Sequence, residues 1–395
     1  MTDDLPKGFR AGTAAAGFKT TGRDDLGLIV SDRPAVAAGL FTQNAFKAAP
    51  VLVCQELLRR GGPVLAVLAN SGQANACTGD EGIVNCRATQ LLAAQAAGLA
   101  PNDILPISTG VIGAQLRMNL WRAAIPALVQ SLGRRDAEGF TRAFMTTDAF
   151  PKFASRDIGL SGGGARLTVM AKGAGMICPN MATMLCVALT DAATEREPWQ
   201  AMFRRAVAFT FNRVSVDGDT STNDTILGLA NGASGVAVQS PADLALLEEA
   251  LTGILGQVAH MLVMDGEGAG RVIHITARGA ADETDAERVA RSVGHSQLVK
   301  TAIYGGDANW GRIVTAVGYS GARFDPDRVS MALCGVERFC HGQPVNDDQE
   351  ARLAELLRGK DVTVEIDLCA GSGEYTLQAS DLGHEYVSLN ADYRS

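Results

Sequence analysis

No run of five basic residues occurs in this chain of 395 residues, and its formal net charge is −8 with a sequence pI near 5.3. That balance offers no electrostatic case for nucleic acid or another polyanion. No uninterrupted apolar stretch approaches the roughly 18–20 residues of a membrane span. The greasy stretches are broken by Gln, Asp, Arg or Gly. The opening MTDDLPKGFRAG carries two early aspartates and no apolar core of a secretory signal, so a cytoplasmic protein is expected. Eight cysteines include no C-x-x-C pair, and dispersed cysteines in a long apolar-rich chain read as reduced, buried apolar residues. Five histidines form no H-E-x-x-H, and Cys340-His341 makes no zinc spacing with anything nearby, so no metal site is expected. G-x-x-x-x-G-K-[ST] is missing, as is G-x-G-x-x-G in a βαβ setting, which removes the usual phosphate and dinucleotide cradles.

Hydrophobic residues make up 47% of the chain, ample for a large core, and 44 glycines punctuate it while aromatics stay at 5%. Strand-like and helix-like runs alternate, which points to a mixed α/β architecture. Residues 26–32, 63–70, 165–173, 183–189, 272–277 and 361–368 read as strands. Residues 84–98, 119–132, 198–214, 241–262, 285–293 and 348–359 read as helices, with apolar spacing near 3.6. Gly159-Leu160-Ser161-Gly162-Gly163 matches G-x-S-x-G, but a nucleophile elbow needs a strand before and a helix after. A β-like run follows and no strong strand precedes, so a hairpin turn is expected.

The segment KGAGMICPNMA (172–182) is a Gly- and Pro-containing joint that opens onto Thr183 and an apolar run. A cut before Thr183 would leave its hydroxyl beside a new α-amine. That amine, with a pKa near about 7.7–8.0, is a suitable base for a threonine hydroxyl. On spacing alone an ordinary loop before a strand fits as well. NSGQANACTG (70–79) and STGVIG (108–113) each follow an apolar run. Such Thr/Gly loops can present hydroxyl and N–H donors to an oxyanion, or serve simply as turns.

Taken together, NSGQANACTG, STGVIG, MTTDAFPK (145–152), KGAGMICPNMATML (172–185), VDGDTSTND (216–224), DGEG (265–268), GDANWGRI (306–313) and NADYRS (390–395) occur in this order. The chain resembles, essentially end to end, the bifunctional ornithine acetyltransferase (glutamate N-acetyltransferase) family. The resemblance implies a layered α/β/β/α fold and autocleavage between Ala182 and Thr183. It implies α (1–182) and β (183–395) chains that stay together, pairing as α2β2. It assigns Thr183 as nucleophile, Thr109 and Gly110 as oxyanion hole, and Thr147, Lys172, Glu267, Asn390 and Ser395 as substrate-binding residues. Lys172 suits a carboxylate and Glu267 an ammonium. The implied reaction moves an acetyl group from N2-acetylornithine to glutamate, with no bound cofactor and with acetyl-CoA admitted as a further donor. A self-processing aminopeptidase or amidase, or an acetyltransferase for another acetylated amino acid, shares the same mechanism. The chain departs from the family pattern at Ala174, Ala308, Gly270, Arg271 and 383–385. Arg271 stands where it could pair with Glu267 and neutralise it.

Overall fold

The computed structural model describes residues 4–19, 22–133, 136–178, 184–346 and 348–392; Ala182, Thr183 and Ser395 lie outside them. From the amino end run β1 (Phe9–Ala14), β2 (Leu26–Phe41), α1 (Ala49–Arg60), β3 (Val64–Asn70), α2 (Gly79–Ala97), β4 (Ile104–Ser108), α3 (Met118–Gln130) and α4 (Ala137–Phe144). There follow β5 (Lys152–Leu160), β6 (Gly163–Lys172), β7 (Leu185–Thr190), α5 (Arg196–Ala208), β8 (Val214–Ser215), β9 (Thr225–Ala230) and α6 (Pro241–Met264). Next come β10 (Val272–Ala280), α7 (Glu283–Gly294), α8 (Gln297–Gly305), α9 (Trp310–Gly318), β11 (Ser330–Leu333), β12 (Val336–Cys340) and β13 (Gln343–Pro344). The chain closes with α10 (Glu350–Leu356), β14 (Asp361–Asp367), β15 (Gly373–Ser380) and α11 (His384–Asp392).

Strand β2 divides the larger sheet into two leaves. Its first half pairs with β1 and β3, and its second half, Val36–Phe41, pairs with β9. Between the halves Asp32, Arg33 and Pro34 pair with neither β3 nor β9, and Pro34 has no N–H to offer a ladder. The leaves β4-β3-β2-β1 and β2-β9-β7-β6-β5 face one another. Ile29, Val67, Leu105 and Ile107 of the first meet Met170, Val187, Leu189 and Leu229 of the second in one core. Outside the first leaf, α2 and α3 bring Ala93, Trp121, Ile125 and Leu128 onto Leu26, Leu28, Ala66 and Leu68. Outside the second, α5 and α6 bring Trp199, Phe203, Leu251 and Leu262 onto Leu167, Val169, Cys186 and Ile226. Alternation along each strand makes this possible: Ile226 faces the helices while Leu227 and Leu229 face the other leaf. The layers are therefore α/β/β/α, as expected.

A second sheet, β13-β12-β11-β14-β10-β15-β8, carries α7, α8 and α9 on one face. In β14, Val362, Val364 and Ile366 point into that core while Thr363 and Glu365 are exposed, so the opposite face is polar. Helix α6 is the longest element. Ser240 caps it by accepting the Asp243 N–H, and Pro241 occupies its first turn. By length and composition α6 could cross a membrane, but its apolar side is consumed by the leaf beneath it.

Two sequence expectations are corrected. The helix expected over 198–214 ends at Ala208, because the Thr210 hydroxyl bonds back to the Ala206 carbonyl (2.7 Å) and the chain then turns into β8. A full strand, β5, does precede Ser161, but β6 pairs with it from Gly163 onward. The G-x-S-x-G segment is thus the tip of a hairpin, with the Ser161 N–H and hydroxyl both donated to Asp243. Of the cysteines, Cys54, Cys86, Cys178 and Cys186 are buried, whereas Cys77 is exposed and Cys334, Cys340 and Cys369 are half-buried; all eight are free thiols.

Candidate active site

The ends of four strands meet, one from the first leaf and three from the second. Thr109 and Gly110 leave β4, Lys172 closes β6, Met184 leads into β7, and Asn223 and Asp224 lead into β9. Strands β6 and β7 are antiparallel with Lys172 opposite Leu185, while β7 and β9 run parallel with Leu185 opposite Thr225. The Thr225 N–H donates to the Met184 carbonyl at 2.8 Å, which fixes the chain where it enters β7. Glu267 arrives just past the end of α6, and Tyr386 and Asn390 from α11.

All of these but Thr225 line a cavity of about 140 Å³ together with Thr146, Thr147, Gly175, Met176, Ile177 and Asp217. The volume suits a molecule smaller than the drug-sized ligands that fill ordinary pockets. No histidine or cysteine lines it among the described residues; its polar side chains are hydroxyls, carboxylates, amides, one phenol and the Lys172 ammonium.

Gly110 sits at one corner of the cavity. Its φ is +132°, and a Cβ there would lie 2.3 Å from the carbonyl carbon of Gly72, so a side chain is excluded by both conformation and contact. The Thr109 N–H is taken by the Asn70 carbonyl (3.1 Å), leaving the Thr109 hydroxyl as its available donor. The Gly110 N–H has no partner among the described residues.

Lys172 is buried, and its ammonium donates to the hydroxyl oxygens of Thr146 (2.8 Å) and Thr109 (3.3 Å). Burial lowers its pKa below the ordinary lysine value, against the opposing pull of Asp148. Behind it stands a buried triad. Lys152 pairs with Asp148 (2.7 Å) and Asp265 (2.5 Å). Asp148 also accepts the N–H groups of Gly173 (2.6 Å) and Thr146 (2.9 Å). Burial alone would raise Asp148, but Lys172 and Lys152 hold it well below the usual carboxylate range. Burial raises Asp265 instead. The two lysines and two aspartates balance in charge, which is what permits four ionisable groups so far from water.

On the opposite side Glu267 accepts from Asn390 Nδ2 at 2.9 Å, and its own N–H donates to the Ala174 carbonyl at 2.9 Å. Arg271 does not reach Glu267. Its guanidinium donates to the carbonyls of Leu357 (2.6 Å) and Tyr304 (2.9 Å) and pairs with Asp381 (3.5 Å). The neutralisation open in the sequence is therefore absent.

Asp217 accepts the N–H groups of Met176 (2.5 Å) and Ile177 (2.9 Å), pinning the chain just before residue 179. Burial raises the Tyr386 phenol to about 12, with Asp217, Asp219 and Glu267 adding to it. Burial also pushes the Asp224 carboxyl far up, and its Oδ2 has no hydrogen-bond partner among the described residues.

Of the residues singled out in the sequence, Thr109, Gly110, Thr147, Lys172, Glu267 and Asn390 come together in this cavity. Thr183 lies outside the described residues, though its chain neighbour Met184 lines the wall. Thr146, Asp148, Lys152, Asp217, Asp224, Asp265 and Tyr386 were not singled out. All but Tyr386 sit inside quoted motifs, but motif order cannot say which of two adjacent threonines meets the lysine.

The ArgJ family model matches residues 10–395. The chain is 60% identical over 390 residues to the arginine biosynthesis bifunctional protein ArgJ of Nitratidesulfovibrio vulgaris, with 99% of each chain covered. It is 46% identical over 391 residues to the protein of the same name from Geobacter sulfurreducens, covering 98% of this chain and 99% of that one. Among solved structures, ornithine acetyltransferase complexed with ornithine from Mycobacterium tuberculosis is 37% identical, with a TM-score of 0.43 over 46% of this chain and 98% of its own.

Proposed function

This chain belongs to the ArgJ family of arginine biosynthesis proteins, and from that premise we propose that it moves an acetyl group from N2-acetylornithine to glutamate through an ester on Thr183. The observation that carries the proposal is the convergence of Thr109, Gly110, Lys172, Glu267, Asn390 and Met184 on one small cavity.

The chemistry begins with hydrolysis of the Ala182–Thr183 peptide bond, in which one water completes the Ala182 carboxylate and the Thr183 α-amine. Thr183 Oγ then attacks the acetyl carbonyl, its proton passing to the Thr183 α-amine. The Thr109 hydroxyl and the Gly110 N–H receive the oxyanion. The amide C–N bond breaks, and ornithine leaves with that proton. The neutral amine of glutamate then attacks the acetyl ester, its proton passes by way of the Thr183 α-amine to Oγ as the ester C–O bond breaks, and N-acetylglutamate departs with the Thr183 hydroxyl restored. One amide replaces another, so neither ATP nor a bound cofactor is required; acetyl-CoA could supply the same acetyl group. Lys172 suits the substrate carboxylate and Glu267 the distal ammonium of ornithine.

The pieces 1–182 and 183–395 would remain one body after the cut. Strands β6 and β7 lie on either side of it and are paired from Leu167↔Thr190 to Lys172↔Leu185 inside a two-faced core. An α2β2 assembly, a cytoplasmic setting and contributions to substrate binding from Thr147 and Ser395 belong to the same proposal.

Intact mass under denaturing conditions tests the first half. Pieces of 182 and 213 residues (395 − 182) are expected, and a single full-length chain in active material would refute processing. Products from acetylornithine, with and without glutamate, test the second. N-acetylglutamate is expected; free acetate at the same rate in either mixture would mean a hydrolase.

A further inference from the structure

We infer that His260, His274 and Asp361 form a binding site for one borderline divalent cation of the zinc or cobalt kind, joining α6 to the second sheet. The three side chains come from α6, β10 and β14. Strand register sets two of them: Val272 stands opposite Asp361 in the parallel β10–β14 pair, so His274 and Asp361 project from the same face. Helix α6 brings His260 onto that face, where the two imidazoles stack with centroids 5.7 Å apart.

Their ligand atoms converge. One ligand atom from each residue lies within 4.8 Å of the others. Asp361 Oδ1 is 2.7 Å from His274 Nε2 and 3.8 Å from His260 Nε2. A tetrahedral ion with bonds of about 2.0–2.2 Å spaces its ligands by about 3.3–3.6 Å, which those two distances bracket. Small side-chain rotations therefore complete the site.

Orientation is the second observation. His260 Nδ1 is 2.9 Å from Gln378 Oε1 on β15, an oxygen that can only accept, so the ring proton sits on Nδ1. The lone pair on Nε2 is left facing Asp361. A histidine whose far nitrogen donates to a carbonyl is the arrangement that orients imidazole on a metal. On binding, the His274 Nε2–H that donates to Asp361 moves to Nδ1, and the ion takes its place.

Two imidazoles and one carboxylate favour zinc, cobalt or nickel over magnesium or calcium, which require oxygen-rich shells. All three side chains are partly exposed, so the ion enters from solvent and keeps a water as its fourth ligand. The site also has a structural consequence. His260 lies five residues before Asp265, about 7.5 Å along the helix. A cation there would steady the end of α6 that delivers Asp265 to Lys152 and Glu267 to the cavity.

The test uses the chelator-treated full chain, with Zn²⁺ titrated by calorimetry and Co²⁺ followed by its visible absorption. One ion per chain is expected, with a tetrahedral cobalt spectrum and a rise in melting temperature on adding Zn²⁺. His274→Ala should abolish all three signals. Gln378→Ala, which touches no ligand atom, should weaken binding roughly 10–100-fold. Absence of stoichiometric binding, or binding unchanged in both His274→Ala and Asp361→Asn, overturns the site.

Discussion

The Lys172 ammonium donates to the Thr109 hydroxyl oxygen at 3.3 Å, while the Thr109 N–H is spent on the Asn70 carbonyl at 3.1 Å. Lysine can only donate, so the hydroxyl proton of Thr109 is left free for another acceptor. Any oxyanion stabilisation by Thr109 must therefore come from its side chain.

Thr109→Ala should accordingly lower kcat by roughly 10²–10³-fold with little change in KM, the usual result of losing one oxyanion donor. Thr109→Ser keeps the hydroxyl and should recover most of the rate. Steady-state kinetics on acetylornithine decide it. A change in KM alone would make Thr109 a ground-state binding residue.

Lys152 is fully buried between Asp148 and Asp265. Lys152→Met leaves two carboxylates facing one another without their shared cation. Removing one partner of a buried ion pair costs about 3–5 kcal/mol. Urea unfolding should show that loss, and Lys152→Met with Asp148→Asn and Asp265→Asn should regain part of it. A single variant as stable as the parent would mean the triad contributes nothing.

Lys300 gives the pH dependence of stability. It is buried, with its ammonium on the Val216 carbonyl and 3.3 Å from Ser380 Oγ. Burial lowers its pKa from 10.5 to about 8. Between about pH 8 and 10.5 the unfolded chain holds this proton and the folded chain does not, so stability rises with pH across that window. Below about 8 both states are protonated and the penalty is constant. The rise is worth at most roughly 3 kcal/mol. Lys19, also lowered to about 8 but half-exposed, adds the same sign. Lys300→Met should therefore flatten the curve in part; equal slopes in the two proteins would contradict the assignment.

The elements legible in the sequence are those with a clean alternating or helical pattern, or a continuous apolar run such as β7, which is buried on both faces. In β14, Val362, Val364 and Ile366 alternate with exposed residues, and the expected strand at 361–368 is found at Asp361–Asp367. Helix α6 was legible for its length and its capped start. By contrast β2 runs for 16 residues through Asp32, Arg33 and Pro34, where the alternation breaks because the strand passes from one leaf to the other. Helix α1 was missed, since Val51 and Val53 weaken helix propensity and the helix is stabilised by packing Val53, Cys54 and Leu57 against Leu105 and Ile107. The site divides in the same way. Resemblance named groups that line the cavity, but the pairing of Lys152 with Asp148 and Asp265 joins positions 113 residues apart at its widest. His260, His274 and Asp361 illustrate the limit: they have no ligand spacing in sequence and meet only through sheet register and the path of α6.

Glu267 supplies the last prediction, and Gly175 sharpens it. A Cβ at residue 175 would stand 2.4 Å from a carboxylate oxygen of Glu267, so Gly175→Ala must push that carboxylate away from Asn390, its 2.9 Å partner. If Glu267 reads the distal ammonium of the donor, Gly175→Ala and Glu267→Gln should fail in the same way. One removes the charge and the other displaces it. A charge-assisted hydrogen bond contributes about 1.5–3 kcal/mol, or roughly 10- to 150-fold in kcat/KM. Arg271 is held on Asp381, Leu357 and Tyr304, so nothing from that side cancels the charge in the parent protein. N-acetylornithine and N-acetyllysine should lose that factor in both variants, while N-acetylglutamine, neutral at its far end, should be spared. An equal loss on all three donors would mean that Glu267 shapes the cavity without reading charge. No preference for cationic donors in the parent protein would remove acetylornithine as the donor while leaving the Thr183 ester chemistry intact.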